Sequence, residues 1–250
     1  LAPPTSPTRI LDIGCGTGST TLAIARHLGP RAHCTGIDLS APMITAARAR
    51  AALEPTPPDF LCASAQTHPF PPAAYDLLLS RFGVMFFPDP VLAFTNLRRA
   101  AAPRALLHAI AWRAPSENSF MTTAERAAAP FLPDLPPRRP DAPGQFAFAD
   151  PSRVHTILDA SGWTDIALHP LDVPCTLPEP ALLPYLTRLG PVGVALQHLD
   201  APARARILPT LRAAFDPFVH GPNVHFTAAC WTITARAPST PPLPQEAATA

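Results

Sequence analysis

Three of the 11 glycines in this 250-residue chain fall within five positions, at Gly14, Gly16 and Gly18. Ahead of them, residues 9–13 form a short strand-like segment, Arg9 followed by a β-branched and apolar run interrupted by Asp12. Behind them, residues 19–28 carry apolar side chains at 22, 24, 25 and 28, which is one face of a helix. A strand that passes into a helix through so glycine-rich a loop must turn sharply and let its backbone approach a ligand that side chains would block. In an open α/β sheet, ligands bind beyond the carboxyl ends of the strands, near such a first strand-to-helix turn.

The alternation continues for about a hundred residues. Residues 33–38 read as a second strand and 42–53 as a second helix with Pro42 in its first turn. Residues 59–63 form a third strand and 75–80 a fourth, whose apolar run at 77–79 suits burial on both faces. Residues 90–101 are helical and 105–112 a fifth strand. This pattern predicts a doubly wound α/β domain with a mostly parallel sheet. After Trp112 it breaks: seven prolines between 115 and 143 make 113–150 a loop-rich insertion. A helix at 152–161, a sixth strand at 163–173, helical stretches at 181–199 and 201–215, and a seventh, last strand at 228–237 follow. We read 1–237 as one domain whose insertions 113–150 and 174–225 form a helical and loop cap, and the Pro-, Ser-, Thr- and Ala-rich residues 238–250 as a disordered tail. The chain opens on Leu1 with a Pro-rich stretch, 1–8, which reads as a fragment lacking an upstream piece.

The order of the glycines discriminates between ligands. A dinucleotide loop runs GxGxxG and aims a helix N-terminus at a pyrophosphate. Here the spacing is GxGxG, and Ser19 stands where the third dinucleotide glycine belongs. Asp12, just before the loop, opposes a pyrophosphate and suits a ligand with a cationic amino group. The second strand ends in Asp38, where an acid can accept hydrogen bonds from both hydroxyls of a ribose. Loop and acid together point to an adenosine-containing ligand.

The segments ILDIGCGTGSTTLAIA, GIDLSAPMITAARARA and SRFGVMFFPDPVLAFTNLRRA, in that order, resemble the motifs of class I S-adenosylmethionine-dependent methyltransferases. The similarity is to the small-molecule branch that includes the ubiquinone and menaquinone C-methyltransferases, and it covers residues 9–112 best. It implies a Rossmann-like, seven-stranded, mostly parallel sheet with a last antiparallel strand. The implied cofactor is S-adenosyl-L-methionine and the implied partner a small-molecule methyl acceptor. Gly14, Cys15, Gly16 and Gly18 would lie along the methionine end of the cofactor, with Asp12 near its amino group. Asp38 would hold the ribose, Leu39 and Met43 would pack on the adenine, and Ser64, Ala65 and Gln66 would cover the adenine edge. Ser80 and Arg81 would face the methionine end. Two positions depart from the family pattern. Ser64 stands where members carry an acid, and Pro103-Arg104-Ala105 stands where they carry Pro-Gly-Gly. If that turn needs a positive φ, Arg104 is strained by roughly 1 kcal/mol.

Composition narrows the partners. A net charge of +1 gives no long-range attraction to nucleic acid. No apolar run reaches the roughly 18 residues of a membrane span. The five cysteines have no CxxC spacing, which fits a reducing cytoplasm and leaves no metal site. Nothing in the sequence fixes the oligomeric state.

Methyl transfer from a sulfonium is an in-line displacement that asks for alignment and exclusion of water, so a fixed base is not obligatory. None is identified. His108 reads as a tolerated buried residue and His155 as a solvated one, and His198, His220 and His225 fall in the cap. Phe82, Met85, Phe86 and Phe87 read first as core packing, though an aromatic there could face a sulfonium. Arg98 and Arg99 read as a solvated helix end. Two other functions stay open: a nicotinamide-dependent oxidoreductase, disfavoured by Asp12 and Ser19, and a catalytically silent cofactor-binding protein.

Overall fold

The computed structural model describes residues 7–135, 138–139 and 142–239. The expected N-terminal stretch up to residue 6 and the expected tail from residue 240 lie outside the described residues. The chain gathers into two compact units. Leu1–Ala111, Ala142–His169 and Trp231–Ala250 make the first, and Trp112–Asp141 and Pro170–Cys230 make the second.

The strand–helix alternation is as the sequence predicts. In chain order come β1 (Thr8–Ile13), α1 (Ser19–Leu28), β2 (Ala32–Asp38), α2 (Ala41–Ala51), β3 (Asp59–Cys62), β4 (Tyr75–Arg81), α3 (Pro90–Ala100) and β5 (Ala101–Trp112). β1 pairs in parallel with β2 on one side, Leu11 opposite Thr35, and with β4 on the other, Leu11 opposite Leu78. The strand order therefore reverses at β1, and the crevice at its carboxyl end is the ligand-binding position of a doubly wound sheet. Ile10, Leu11, Ile13 and Leu78 are fully buried in the first unit, as the apolar runs of central parallel strands require.

The remaining strands are β6 (Thr164–Pro178), β7 (Val219–His220) and β8 (Asn223–Arg236). The sheet order is β3-β2-β1-β4-β5-β8-β6, with the two-residue β7 added antiparallel to β8. Among the described residues, the seven strands along the main path and a mostly parallel sheet with an antiparallel strand agree with the expectation. Several boundaries do not. β6 runs to Pro178 rather than 173, passing through Pro170 and Pro174; an edge strand tolerates prolines that a central one would not. β5 begins at Ala101 rather than 105, because residues 102–105 form a bulge between the pairs Tyr75–Ala101 and Leu77–Leu106. Arg104 sits in that bulge at φ 64, so the turn does take the positive value on which its strain was conditional.

Residues 113–150 are less irregular than their prolines suggest. They hold helix α4 (Ser119–Ala128), bracketed by Pro115 and Pro130, and their end joins the first unit at α5 (Pro151–Ala160). The stretch 181–199 is two helices, α6 (Leu182–Arg188) and α7 (Gly190–Gln197), parted where Gly190 takes φ 70; α8 (Ala201–Ala213) follows. Asp89, Asp150 and Asp200 cap α3, α5 and α8 by accepting a backbone N–H in the first turn, each worth about 1 kcal/mol. The second unit has its own core around Phe120, Leu186, Leu211 and Phe215, with the rings of Phe120 and Phe226 stacked 3.9 Å apart. Buried Asn118 ties α4 to β8 by exchanging two 3.0 Å hydrogen bonds with the backbone of Ala229.

Candidate functional site

The loop 14–18 is held by the end of β2. The amides of Gly14 and Cys15 both donate to Ile37 O, at 2.9 and 3.1 Å. The amide of Gly16 donates to Asp38 Oδ2 at 2.9 Å, and Asp38 Oδ1 accepts from Ser40 N at 2.8 Å. Three successive loop amides are thus engaged within the protein, so they cannot cradle a pyrophosphate. On the far side, Arg50 of α2 donates to Thr17 O at 2.6 Å. Gly14 takes φ 67, and a Cβ there would stand 2.6 Å from Cα of Gly83. Gly18 takes φ 78 and opens α1 against the ring of Phe60.

Two cavities adjoin this loop and share Gly14, Gly16 and Met43 in their walls. The larger, about 410 Å³, lies within the usual size range of small-molecule sites. Its walls bring together Asp38, Leu39, Met43, Ser64 and Ala65, as the sequence predicted, and add Phe82, Phe86 and Phe87. Leu39 and Phe86 are 71% and 55% exposed, so these apolar side chains form a rim rather than a core. Of the expected core cluster only Met85 is buried in full. Phe82 takes φ 66, a strained value for a bulky residue, and its amide donates to Ile110 O at 2.9 Å. The smaller cavity, about 260 Å³, is lined by Asp12, Cys15 and Arg81 together with Ser19 and Thr20.

Asp12 is 2% exposed, and its Oδ2 accepts from Thr21 Oγ1 at 2.6 Å. Burial raises its carboxyl to about 6, against the pull of Thr21 and of the Arg81 charge. Burial, with the Asp12 and Asp38 charges nearby, pushes the Cys15 thiol up to about 12, so it stays protonated and is no nucleophile.

Three of the residues named from sequence line neither cavity. Gly18 packs on Phe60. Gln66 turns away and its Oε1 accepts from Asp89 N at 3.1 Å. Ser80 is buried; its hydroxyl donates to Ile13 O at 2.8 Å and accepts from Gly83 N at 3.1 Å, so it braces the loop from behind. Arg98, expected in solvent, is 7% exposed on the inward face of α3 beside Phe94 and Leu97. The residues that sequence reasoning missed are Thr20, Thr21 and Gly83. The threonines gave no signal beyond polarity at a helix start. Among the described residues, no cluster of three or more His, Cys, Asp or Glu side chains could hold a metal.

Residues 10–104 match the family model described as a methyltransferase domain. The chain is 34% identical over 120 residues to a demethylmenaquinone methyltransferase of Thermus thermophilus, covering 48% of this chain and 54% of that protein. It spans about half the length of the curated relatives it matches. Among solved structures it is similar to the YcgJ protein of Bacillus subtilis, with TM-score 0.58, 18% identity and 94% of each chain covered. It is also similar to a Haemonchus contortus phosphoethanolamine N-methyltransferase in complex with S-adenosyl-L-methionine, with TM-score 0.55, 18% identity, and 95% of this chain and 50% of that one covered. The glycine loop, the strand reversal at β1 and the match of residues 10–104 to a methyltransferase-domain model agree with a Rossmann-like fold.

Proposed function

We propose that this protein transfers a methyl group from S-adenosyl-L-methionine to a small-molecule acceptor. The observation that carries the reading is the pair of adjoining cavities on one glycine loop, an apolar one with a carboxylate at its strand end and a polar one with a buried acid. Adenosine suits the first and an amino-acid end suits the second. Asp38 already accepts two backbone amides, yet a carboxylate has about four acceptor sites, so it can also take the ribose hydroxyls. Leu39 and Met43 offer apolar faces to the adenine, with Ser64 and Ala65 at its edge. The loop 14–18 would run beside the methionine chain, and Asp12 would face its amino group. The relatives' names and the cofactor recorded in the nematode enzyme's structure support the same reading.

When bound, the cofactor supplies a methyl group activated on a sulfonium. The chain's part is to fix the two ends of that molecule and keep water from the sulfur. The titratable side chains lining the two cavities are Asp12, Cys15, Asp38 and Arg81, and we assign none of them as a general base. Acceptor choice we assign to the segments outside the strand–helix repeats, 113–150 and 174–225, acting as a cap of the domain. No helix among the described residues is long and apolar enough to cross a membrane. A cytoplasmic location and the absence of a nucleic-acid partner rest on the free cysteines and the near-neutral charge.

The test is calorimetric titration with S-adenosylhomocysteine and with NADH, followed by methyl release on a panel of quinols, phenols and amines. S-Adenosylhomocysteine should bind and NADH should not. Asp38→Ala should weaken the former by about 1.5–3 kcal/mol, the worth of hydrogen bonds to a charged acceptor. Binding of NADH alone would overturn the assignment.

A further inference from the structure

His220 and His225 share one face of the β7–β8 hairpin in the second unit. His220 lies opposite Asn223, so His225, two residues further along β8, is its diagonal neighbour on the same side. Their ring centres are 5.7 Å apart, with the planes at 58° to one another, and both side chains are exposed. Gly221, at φ 59, and Pro222 make the turn between the strands, and Pro222 O accepts from Glu179 N at 2.9 Å, so the hairpin tip is held in place. On the neighbouring strand β6, Thr176 Oγ1 stands 3.4 Å from His225 Nδ1. A ring that donates Nδ1–H to that hydroxyl keeps its lone pair on Nε2, the arrangement by which a polar neighbour orients an imidazole for a metal.

Two imidazoles bound at about 2.0–2.1 Å to one tetrahedral ion hold their ring centres roughly 5 Å apart. The hairpin already sets the pair near that spacing, and rotation of two exposed side chains supplies the rest. Among the described residues no third His, Cys, Asp or Glu completes a cluster, so the other coordination positions fall to water. A donor set of two imidazoles suits copper, nickel and zinc, whereas magnesium and calcium ask for oxygen. We propose that His220 and His225 form a two-histidine site for a divalent late first-row metal ion, with Thr176 as its positioning residue. The site shares no residue with the two cavities at the glycine loop. An ion held there staples the two-residue β7 to β8.

The experiment titrates the full chain at pH 7.5 with the chlorides of Cu²⁺, Ni²⁺ and Zn²⁺, and with Mg²⁺ as control, by calorimetry and thermal unfolding. The three transition ions should bind, Cu²⁺ tightest, and raise Tm, and Mg²⁺ should do neither. His220→Asn and His225→Asn should leave Tm without metal unchanged. Each should weaken the tightest Ni²⁺ site about tenfold or more, because one ring no longer closes the chelate, and the double variant should fall within about twofold of either single one. Thr176→Val should weaken Ni²⁺ several-fold, and Thr176→Ser should restore it. Substoichiometric Cu²⁺ should broaden the imidazole NMR signals of His220 and His225 before those of any other histidine. Broadening that begins elsewhere, or single variants that keep wild-type Ni²⁺ affinity, would overturn the proposal. So would losses that add in the double variant, because rings that bind independently are not a chelate.

Discussion

The backbones of Gly14 and Gly83 lie in contact: a Cβ on the first would stand 2.6 Å from Cα of the second, and one on the second 2.7 Å from Cα of the first. This contact locks the loop after β1 to the turn after β4, the two segments between which the site opens. The two glycines meet different demands. Gly14 has φ 67, so any side chain there is strained as well as crowded. Gly83 has φ −87, which every residue adopts, so its need for glycine is steric alone; its Cβ would also fall 2.4 Å from Ile13 O.

Gly83→Ala should therefore destabilise the fold by about 2 kcal/mol or more, although alanine is ordinarily favoured over glycine at such a φ. Thermal and urea unfolding check this. A neutral or stabilising result would mean the two turns separate at little cost. Where the variant stays folded, its affinity for S-adenosylhomocysteine should fall, because the loop backbone must shift.

Arg104→Gly should act in the opposite direction. Arg104 holds φ 64 within the β5 bulge, where its amide donates to Ala237 O at 3.1 Å. Glycine keeps that backbone bond and removes the left-handed strain, at some cost in unfolded-state entropy. The expected gain is about 1 kcal/mol, read as a rise in Tm without change in ligand affinity. A lower Tm would show that the side chain contributes more than its backbone costs.

Most of the first unit was legible because its signals are local. Apolar runs and the glycine loop put the ends of β1, α1, β2 and α3 within a residue or two of where they lie. The same local reading failed where tertiary position decides. The sixth strand was expected to stop at 173, just before Pro174, yet the strand is at an edge and continues to Pro178. Prolines around α4 read as loop, yet they flank a helix rather than interrupt it. At the site, the residues from Asp12 to Gly16, and Asp38, announced themselves by type and order. Gly83 did not, because what demands it is a backbone far away in sequence. Thr20 and Thr21 did not, because their partners become visible only when α1 is set against β1 and β4.

Ser64 stands where the family resemblance implies an acid, and it gives a gain-of-function test. Its Oγ accepts from Gln66 N at 3.3 Å, a local turn that aspartate also forms, so Ser64→Asp should fold without rearrangement. A carboxylate at this wall of the larger cavity can accept from an adenine amino group. S-Adenosylhomocysteine should bind about 0.5–1.5 kcal/mol more tightly. S-Inosylhomocysteine, with an oxygen in place of that amino group, should gain nothing. Equal gains for both ligands would assign the effect to general electrostatics rather than to recognition of adenine.

Asp12 should trade stability for binding, and pH should expose the trade. Its carboxyl titrates near 6 in the folded protein against 3.8 for an unperturbed aspartate, because burial disfavours the charge. A group that holds its proton more tightly when folded destabilises the fold wherever it is ionised. The cost is fully present above pH 6 and vanishes as pH falls from about 6 towards 4. With each pH unit worth about 1.4 kcal/mol, it amounts to roughly 3 kcal/mol at neutral pH. Asn at this position keeps an oxygen for the Thr21 hydroxyl and removes the charge. Asp12→Asn should thus be more stable than wild type at pH 7.5 by up to that amount, and the gap should close by pH 4. Taking the difference between the two proteins cancels the opposite trend of ion-paired carboxylates such as Asp76, whose own titration Arg9 lowers. Affinity should move the other way. Wild type should lose S-adenosylhomocysteine as Asp12 protonates near pH 6, whereas Asp12→Asn should bind weakly and without that step. Paired urea titrations and calorimetry across pH 4–8 measure both. A constant stability gap over that range would mean that the folded and unfolded carboxyls titrate alike and that burial costs Asp12 nothing, whereas a gap still widening by about 1.4 kcal/mol per pH unit up to pH 8 would mean that Asp12 is neutral at pH 7.5 and is not the group that holds an amino cation.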